Sequence, residues 1–127
     1  MKIVFDTYAW IEYFKGSEAG KKVNQILESQ ENEIFTSIMS IAEISSKLRR
    51  ENSDVELPYK IITNLSKIFF INVEFTKEAG ILHAEMRKKI KDFGLIDSII
   101  LLTTRKLDAK ILTGDPHFKG FKETILI

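Results

Sequence analysis

Apolar positions along this chain follow two periods that alternate. Residues 2–5 form a short β-branched run that reads as a strand. Residues 7–14 read as a helix, with Thr7 able to cap it and Gly16 able to stop it. Ser17 can cap a second helix, whose Ala19, Val23, Ile26 and Leu27 share one face until Asn32 breaks it. Glu33-Ile34-Phe35-Thr36 returns to a strand pattern, and Ile38, Ile41, Ala42, Ile44 and Leu48 then form a helical stripe that ends in the Asn52-Ser53-Asp54 loop. Pro58 suits the first turn of a further helix, with Ile61, Ile62, Leu65, Ile68 and Phe69 at helical spacing. The pattern next predicts a strand over 70–73 and a helix capped by Thr76, with Ala79, Leu82, His83, Met86 and Ile90 on one stripe. Gly94 marks a break before residues 95–107, which are apolar nearly all round, as in a helix buried between neighbours. Residues 110–113 and 124–127 read as the last strands.

Alternating strands and helices imply an α/β fold: a short-stranded, mainly parallel sheet with helices on both faces, three layers in all. At 127 residues the expectation is one domain spanning 1–127, long enough for a substantial core. There is no Cys, which excludes disulfides and thiolate metal sites. No apolar stretch reaches membrane-spanning length, and the N-terminus runs into a strand pattern with no signal segment, so a cytoplasmic protein is expected. The net charge of +1 is low for a broad nucleic-acid face, although acids gathered in one metal site would mask a basic surface. Lys47, Arg49 and Arg50 cluster, as do Arg87, Lys88, Lys89 and Lys91; each group also suits a solvated helix end.

Four acids stand where a cation site would need them. Asp6 ends the first strand pattern and Asp115 follows the 110–113 run, and in open α/β sheets chemistry gathers at the carboxyl ends of strands. Asp97 interrupts an apolar stretch, where a carboxylate is costly unless paired, metal-bound or at a helix end. Glu43 lies opposite the stripe of its helix, which suits a cleft wall or solvent equally. Each has a plainer reading too: Asp6 as a helix cap, Asp97 as a first-turn acid, Asp115 as a turn residue before Pro116. His83 reads as a core histidine, and His117 sits in a loop two residues past Asp115, with or without a phosphate to touch. Trp10, Tyr13 and Phe14 read as core or interface residues.

Phe5-Asp6-Thr7, a helical Glu43, the run Gly94-Leu95-Ile96-Asp97-Ser98-Ile99-Ile100 and the segment Leu112-Thr113-Gly114-Asp115-Pro116-His117-Phe118 resemble the PIN domain, most closely the VapC-like toxin ribonucleases of toxin–antitoxin pairs. The resemblance runs through the whole chain in order. It implies a parallel α/β fold whose acids, here Asp6, Glu43, Asp97 and Asp115, bind Mg²⁺ or Mn²⁺ to hydrolyse RNA, with Thr7 and Thr113 supporting them. In that scheme Asp6 and Asp97 hold the main metal, and Glu43 and Asp115 position the attacking water or a second ion. Arg49, Lys88 or Lys91 would hold the RNA backbone. A homodimer and a cognate antitoxin are implied as well, with Trp10, Ile11, Tyr13 and Phe14 as candidates for the antitoxin surface. A signalling receiver domain has similar size, but it needs an acidic pair after the first strand, and here Thr7 follows Asp6. A binding module without activity and a DNA nuclease using the same acids remain as alternatives.

Overall fold

The computed structural model describes all 127 residues. The elements follow in the order β1 (Lys2–Phe5), α1 (Thr7–Lys15), α2 (Glu18–Glu28), β2 (Glu33–Ser37), α3 (Ile38–Arg50), α4 (Glu56–Leu65), β3 (Lys67–Phe69), α5 (Val73–Arg87), α6 (Leu95–Leu107), β4 (Lys110–Thr113) and β5 (Thr124–Leu126), with a 3₁₀ turn at Pro116–Phe118 before β5. The five strands form one sheet in the order β3-β2-β1-β4-β5, and every pair is parallel. The α/β architecture is the expected one, with a sheet that is parallel throughout.

Parallel sheets are covered on both faces, so their central strands carry apolar residues at every position. In β1, Ile3, Val4 and Phe5 are all buried. Ile3 and Phe5 pack with Trp10, Val23, Ile44, Leu48 and Ile62 from α1 to α4. Val4 and Ile111 face the opposite way, toward Ile100 and Leu101 of α6 and toward Phe93 and Phe118. Phe75, Ala79 and Ile99 join α5 to α6 in a smaller cluster. Buried polar groups tie the layers together. The Trp10 indole Nε1 donates to Thr36 Oγ1 at 3.0 Å, and Ser66 Oγ donates to the Ile62 carbonyl at 2.7 Å. With its proton used there, Ser66 accepts the remaining 2.7 Å bond from Thr36. The chain of bonds therefore runs from α1 through β2 to the end of α4.

Five expectations need correction. The helix expected to include Ile68 and Phe69 ends at Leu65, because the Ser66 side chain is held in that network and residues 67–69 pair with β2 as β3. The strand expected over 70–73 is therefore shifted: Phe70 and Val73 are exposed, and Val73 already opens α5. The cap of α5 is Asn72, whose side chain accepts from Phe75 N at 2.8 Å, while the Thr76 hydroxyl donates back to the Val73 carbonyl inside the helix. Likewise Asp6, not Thr7, caps α1. Trp10 is buried in the core, which removes it as an antitoxin-facing surface; Ile11 is buried beside it with one edge on a neighbouring groove, and Tyr13 and Phe14 are half-buried around them.

The tightest junction is between α1 and α2. Gly20 of α2 lies so close to α1 that a Cβ there would fall on the Glu12 carbonyl, 2.8 Å from its carbon and 3.2 Å from Tyr13 Cα. Backbone cannot swing aside as a side chain can, so Gly20→Ala is expected to destabilise the protein by about 2 kcal/mol or more. Gly80, in the interior of α5, has no atom within 4 Å of the equivalent position. Gly80→Ala should gain up to about 1 kcal/mol from helix propensity. Urea unfolding of both variants checks the pair; equal effects of the two substitutions would contradict the α1–α2 geometry.

Candidate active site

Strand order reverses at β1: the chain passes from β1 outward to β2 and β3, then crosses to β4 and β5 on the other side. At such a switch point the connections leave in opposite directions and open a crevice at the carboxyl ends of the strands. Asp6 follows β1 and Asp115 follows β4, so the crevice lies between them. It forms a cleft of about 420 Å³ whose walls include Asp6, Glu43, Asp97 and Asp115. All four acids singled out in the sequence thus reach one cavity.

Asp6 is the anchor. Its Oδ1 accepts from Ala9 N at 2.9 Å, which caps α1, and its Oδ2 accepts from the Thr113 hydroxyl. Thr113 Oγ1 in turn accepts from Asp115 N at 2.9 Å, so one hydroxyl links the ends of β1 and β4. Asp6 is buried, and that burial is the main reason its pKa rises from 3.8 to about 7. The bonds from Thr113 and Ala9 oppose the rise, while the charges of Asp115 and Glu43 add to it.

Glu43 is exposed on α3 and reaches the cleft through Thr7, whose hydroxyl donates to its Oε1 at 2.7 Å. Asp97 occupies the third position of α6. Its Oδ2 accepts from Gly94 N, the amide that precedes the helix, at 2.7 Å, so the acid serves the helix and the cleft together. Burial raises the Asp97 pKa most, the Gly94 bond lowers it, and the charge of Asp115 raises it further. Asp115 caps the 3₁₀ turn by accepting from His117 N at 2.9 Å.

The acids do not converge on one point. The tight group is Asp97, Asp115 and His117, whose potential ligand atoms all lie within 4.8 Å of one another. Asp6 and Glu43 stand beyond it on the same cleft. The only sequence signal for His117 is its position two residues past Asp115. His83 is half-buried and bonds the Phe93 carbonyl through Nε2 at 3.0 Å, a structural role close to the one expected. Arg49, Lys88 and Lys91 are outside the cleft wall, which takes Lys15 and Lys47 instead, with Arg50 on the adjoining surface beyond Glu43. The signal for Lys47 was its helical spacing of four residues from Glu43. Tyr8 also lines the cleft, and its ring lies where a Cβ at Gly114 would sit, so a side chain in that position would require the exposed Tyr8 ring to move.

This donor set suits a hard divalent cation: several carboxylate oxygens, one of them buried, with like charges around it that a cation would relieve. No helix is long and apolar enough to cross a membrane.

Comparison with curated proteins finds no significant sequence match. Among solved structures, the sarcin–ricin-loop-cleaving toxin VapC20 of Mycobacterium tuberculosis superposes with a TM-score of 0.77 at 16% identity, over 95% of this chain and 97% of that one. VapBC2 of Rickettsia felis, bound to a DNA fragment from its promoter, gives 0.73 at 19% identity, over 100% and 98%. A toxin–antitoxin complex from Klebsiella pneumoniae gives 0.69 at 21% identity, over 97% and 95%. These likenesses establish a shared fold. The sequence model of the PIN domain matches residues 3–123, and on that match the chain belongs to the PIN domain family.

Proposed function

We propose that this protein is a metal-dependent endoribonuclease that hydrolyses RNA phosphodiester bonds with Mg²⁺ or Mn²⁺, and that it is the toxin of a toxin–antitoxin pair acting in the cytoplasm. The observation that carries this reading is the gathering of Asp6, Glu43, Asp97 and Asp115 on one cleft at the switch point of a parallel sheet. A bound divalent cation supplies charge to neutralise the phosphodiester and to make water a stronger nucleophile near neutral pH.

The chain's own residues do the rest. Asp97 and Asp115 would hold a cation at one end of the cleft and Asp6 would face it from the other, with Thr113 fixing the Asp6 carboxylate and the spacing to Asp115. Thr7 orients Glu43, leaving its second oxygen free to accept a proton from attacking water. Lys15 and Lys47 on the cleft wall suit the flanking phosphates, as phosphate contacts position a nucleic acid without reading its sequence. An apolar groove lined by Ile11, Phe14, Leu48, Leu57 and Ile61 adjoins the cleft through Ile11 and Lys15. Its position suits an antitoxin segment that covers the groove and obstructs the acids together. The similar structures that are toxin–antitoxin complexes support such a partner, and a homodimer is part of the same proposal.

Cleavage of a cellular RNA pool by the purified protein with Mn²⁺ is the functional test. Discrete products are expected, absent with EDTA and reduced at least roughly a hundredfold by Asp97→Asn. Cleavage that survives in Asp97→Asn would overturn the site assignment. Persistent failure of the folded, Mn²⁺-loaded protein to cut RNA would favour a binding module, and cutting confined to DNA would replace the substrate.

Asp6 also sets a pH dependence. With a folded-state pKa near 7 and an ordinary unfolded one, it holds its proton more tightly when folded. Its contribution is therefore largest at low pH and is lost as pH rises from about 4 to about 7, by about 4 kcal/mol in all. In chelated buffer the stability difference, wild type minus Asp6→Asn, should fall across that window. Mn²⁺ should restore stability to the wild type increasingly as pH rises, and less so to Asp6→Asn, which keeps Asp97 and Asp115. A difference that is flat or grows with pH would contradict the buried, metal-ready state of Asp6.

A further inference from the structure

We propose that His117 is a cation ligand: its imidazole nitrogen joins Asp97 and Asp115 at one end of the cleft and biases that position toward first-row transition cations over Mg²⁺. This rests on the metal-dependent reading above and adds a nitrogen to a ligand set otherwise made of oxygens.

His117 Nδ1 is 3.0 Å from Asp115 Oδ1 and 3.6 Å from Asp97 Oδ2. This nitrogen is buried yet makes no hydrogen bond: the Asp97 oxygen is beyond hydrogen-bonding distance, and the Asp115 oxygen, though near, is off the axis of the ring nitrogen. A buried nitrogen without a partner is unfavourable, and native structures rarely leave one so. The separations are those of ligands that share a cation, since two donors at right angles, each about 2.1 Å from an ion, lie about 3 Å apart.

The ring is also held in place. Its backbone N–H is bonded to the Asp115 carboxylate at 2.9 Å, which couples the two residues through the 3₁₀ turn. Its edge meets Phe93 with ring centroids 6.4 Å apart and planes at 81°. Phe93 is itself fully buried, so this wall is rigid. A positioned imidazole discriminates between ions. Mg²⁺ keeps to oxygen ligands, whereas Mn²⁺, Co²⁺ and Zn²⁺ accept nitrogen increasingly well. Asp6 and Glu43, at the other end of the cleft, are an oxygen-only pair, so the two ends differ in chemistry.

The test uses Mn²⁺ alone as probe, with the intact protein and no RNA. Electron spin echo measurements on bound Mn²⁺ detect a directly coordinated ¹⁴N. The chain has only two histidines, and His83 is engaged with the Phe93 carbonyl, so a nitrogen signal has one expected source. The wild type should show the modulation, and His117→Ala and His117→Gln should lose it. Mn²⁺ affinity should fall roughly tenfold in both, while Mg²⁺ affinity, read by competition, changes less than about threefold. Circular dichroism on each variant separates loss of a ligand from loss of fold, and two variants guard against one that misfolds. Bound Mn²⁺ without ¹⁴N modulation in the wild type would overturn the role of His117 and leave the oxygen-only site standing. Modulation that persists in the variants would overturn it as well. No Mn²⁺ binding to the folded wild type would overturn the metal-dependent reading itself.

Discussion

The rest of the site depends on a carboxylate that water scarcely reaches. Asp6 follows a strand that is buried on both faces, in the middle of the sheet, and burial is the largest influence on its ionisation. A charge there must be compensated by hydrogen bonds or by an opposite charge. Two bonds are present, from the Ala9 amide and the Thr113 hydroxyl, and they do not suffice to bring the pKa back to its ordinary value. Asp115 and Glu43 then worsen the balance with like charge. A divalent cation, as proposed, would relieve this gathering of carboxylates around an already unfavourable one.

The fold delivers those groups economically because each also does structural work. Asp6 caps α1, Asp97 binds the Gly94 amide at the start of α6, Asp115 caps the 3₁₀ turn, and Thr113 ties the β1 and β4 ends. The local and functional readings of these acids, which look like rivals in the sequence, hold together: a capping carboxylate uses some of its lone pairs and leaves others to face the cleft. Helix ends and strand ends meet at the switch point, so residues that terminate elements converge there. That is why positions as far apart in sequence as Asp6 and Asp115 share a hydroxyl, and why Gly114 leaves room for Tyr8 beside them.

Much of this was legible in the sequence. The continuous apolar runs of β1 and β4 marked buried parallel strands, and an Asp after each marked the cleft. Asp97 stood out because a carboxylate in an apolar helix needs a reason. What was not legible depended on contacts between distant segments. The run from Ile68 to Ile71 is apolar at every position, so its period cannot separate helix from strand; pairing with β2 and the Ser66 bond decide where β3 lies. Asn72 outcompetes Thr76 as a cap because the chain has already left the sheet. Glu43 is exposed, and only the Thr7 bond turns it toward the cleft. His117 carries no pattern of its own and Lys47 only its spacing from Glu43; their placement follows from the 3₁₀ turn and from how α3 sits over α1. Trp10 looks available in the sequence because a short amphipathic helix does not reveal that the core encloses its indole.

The central claim is that the cleft between β1 and β4 is built to hold a divalent cation on its carboxylates. Anomalous diffraction from crystals of the wild-type protein equilibrated with Mn²⁺ tests it most directly. The expected result is an anomalous peak inside the cleft, within bonding distance of carboxylate oxygens from Asp97 or Asp6 and from Asp115. A fully ordered cleft with no anomalous peak at saturating Mn²⁺, or Mn²⁺ found only on surface carboxylates elsewhere, would contradict it.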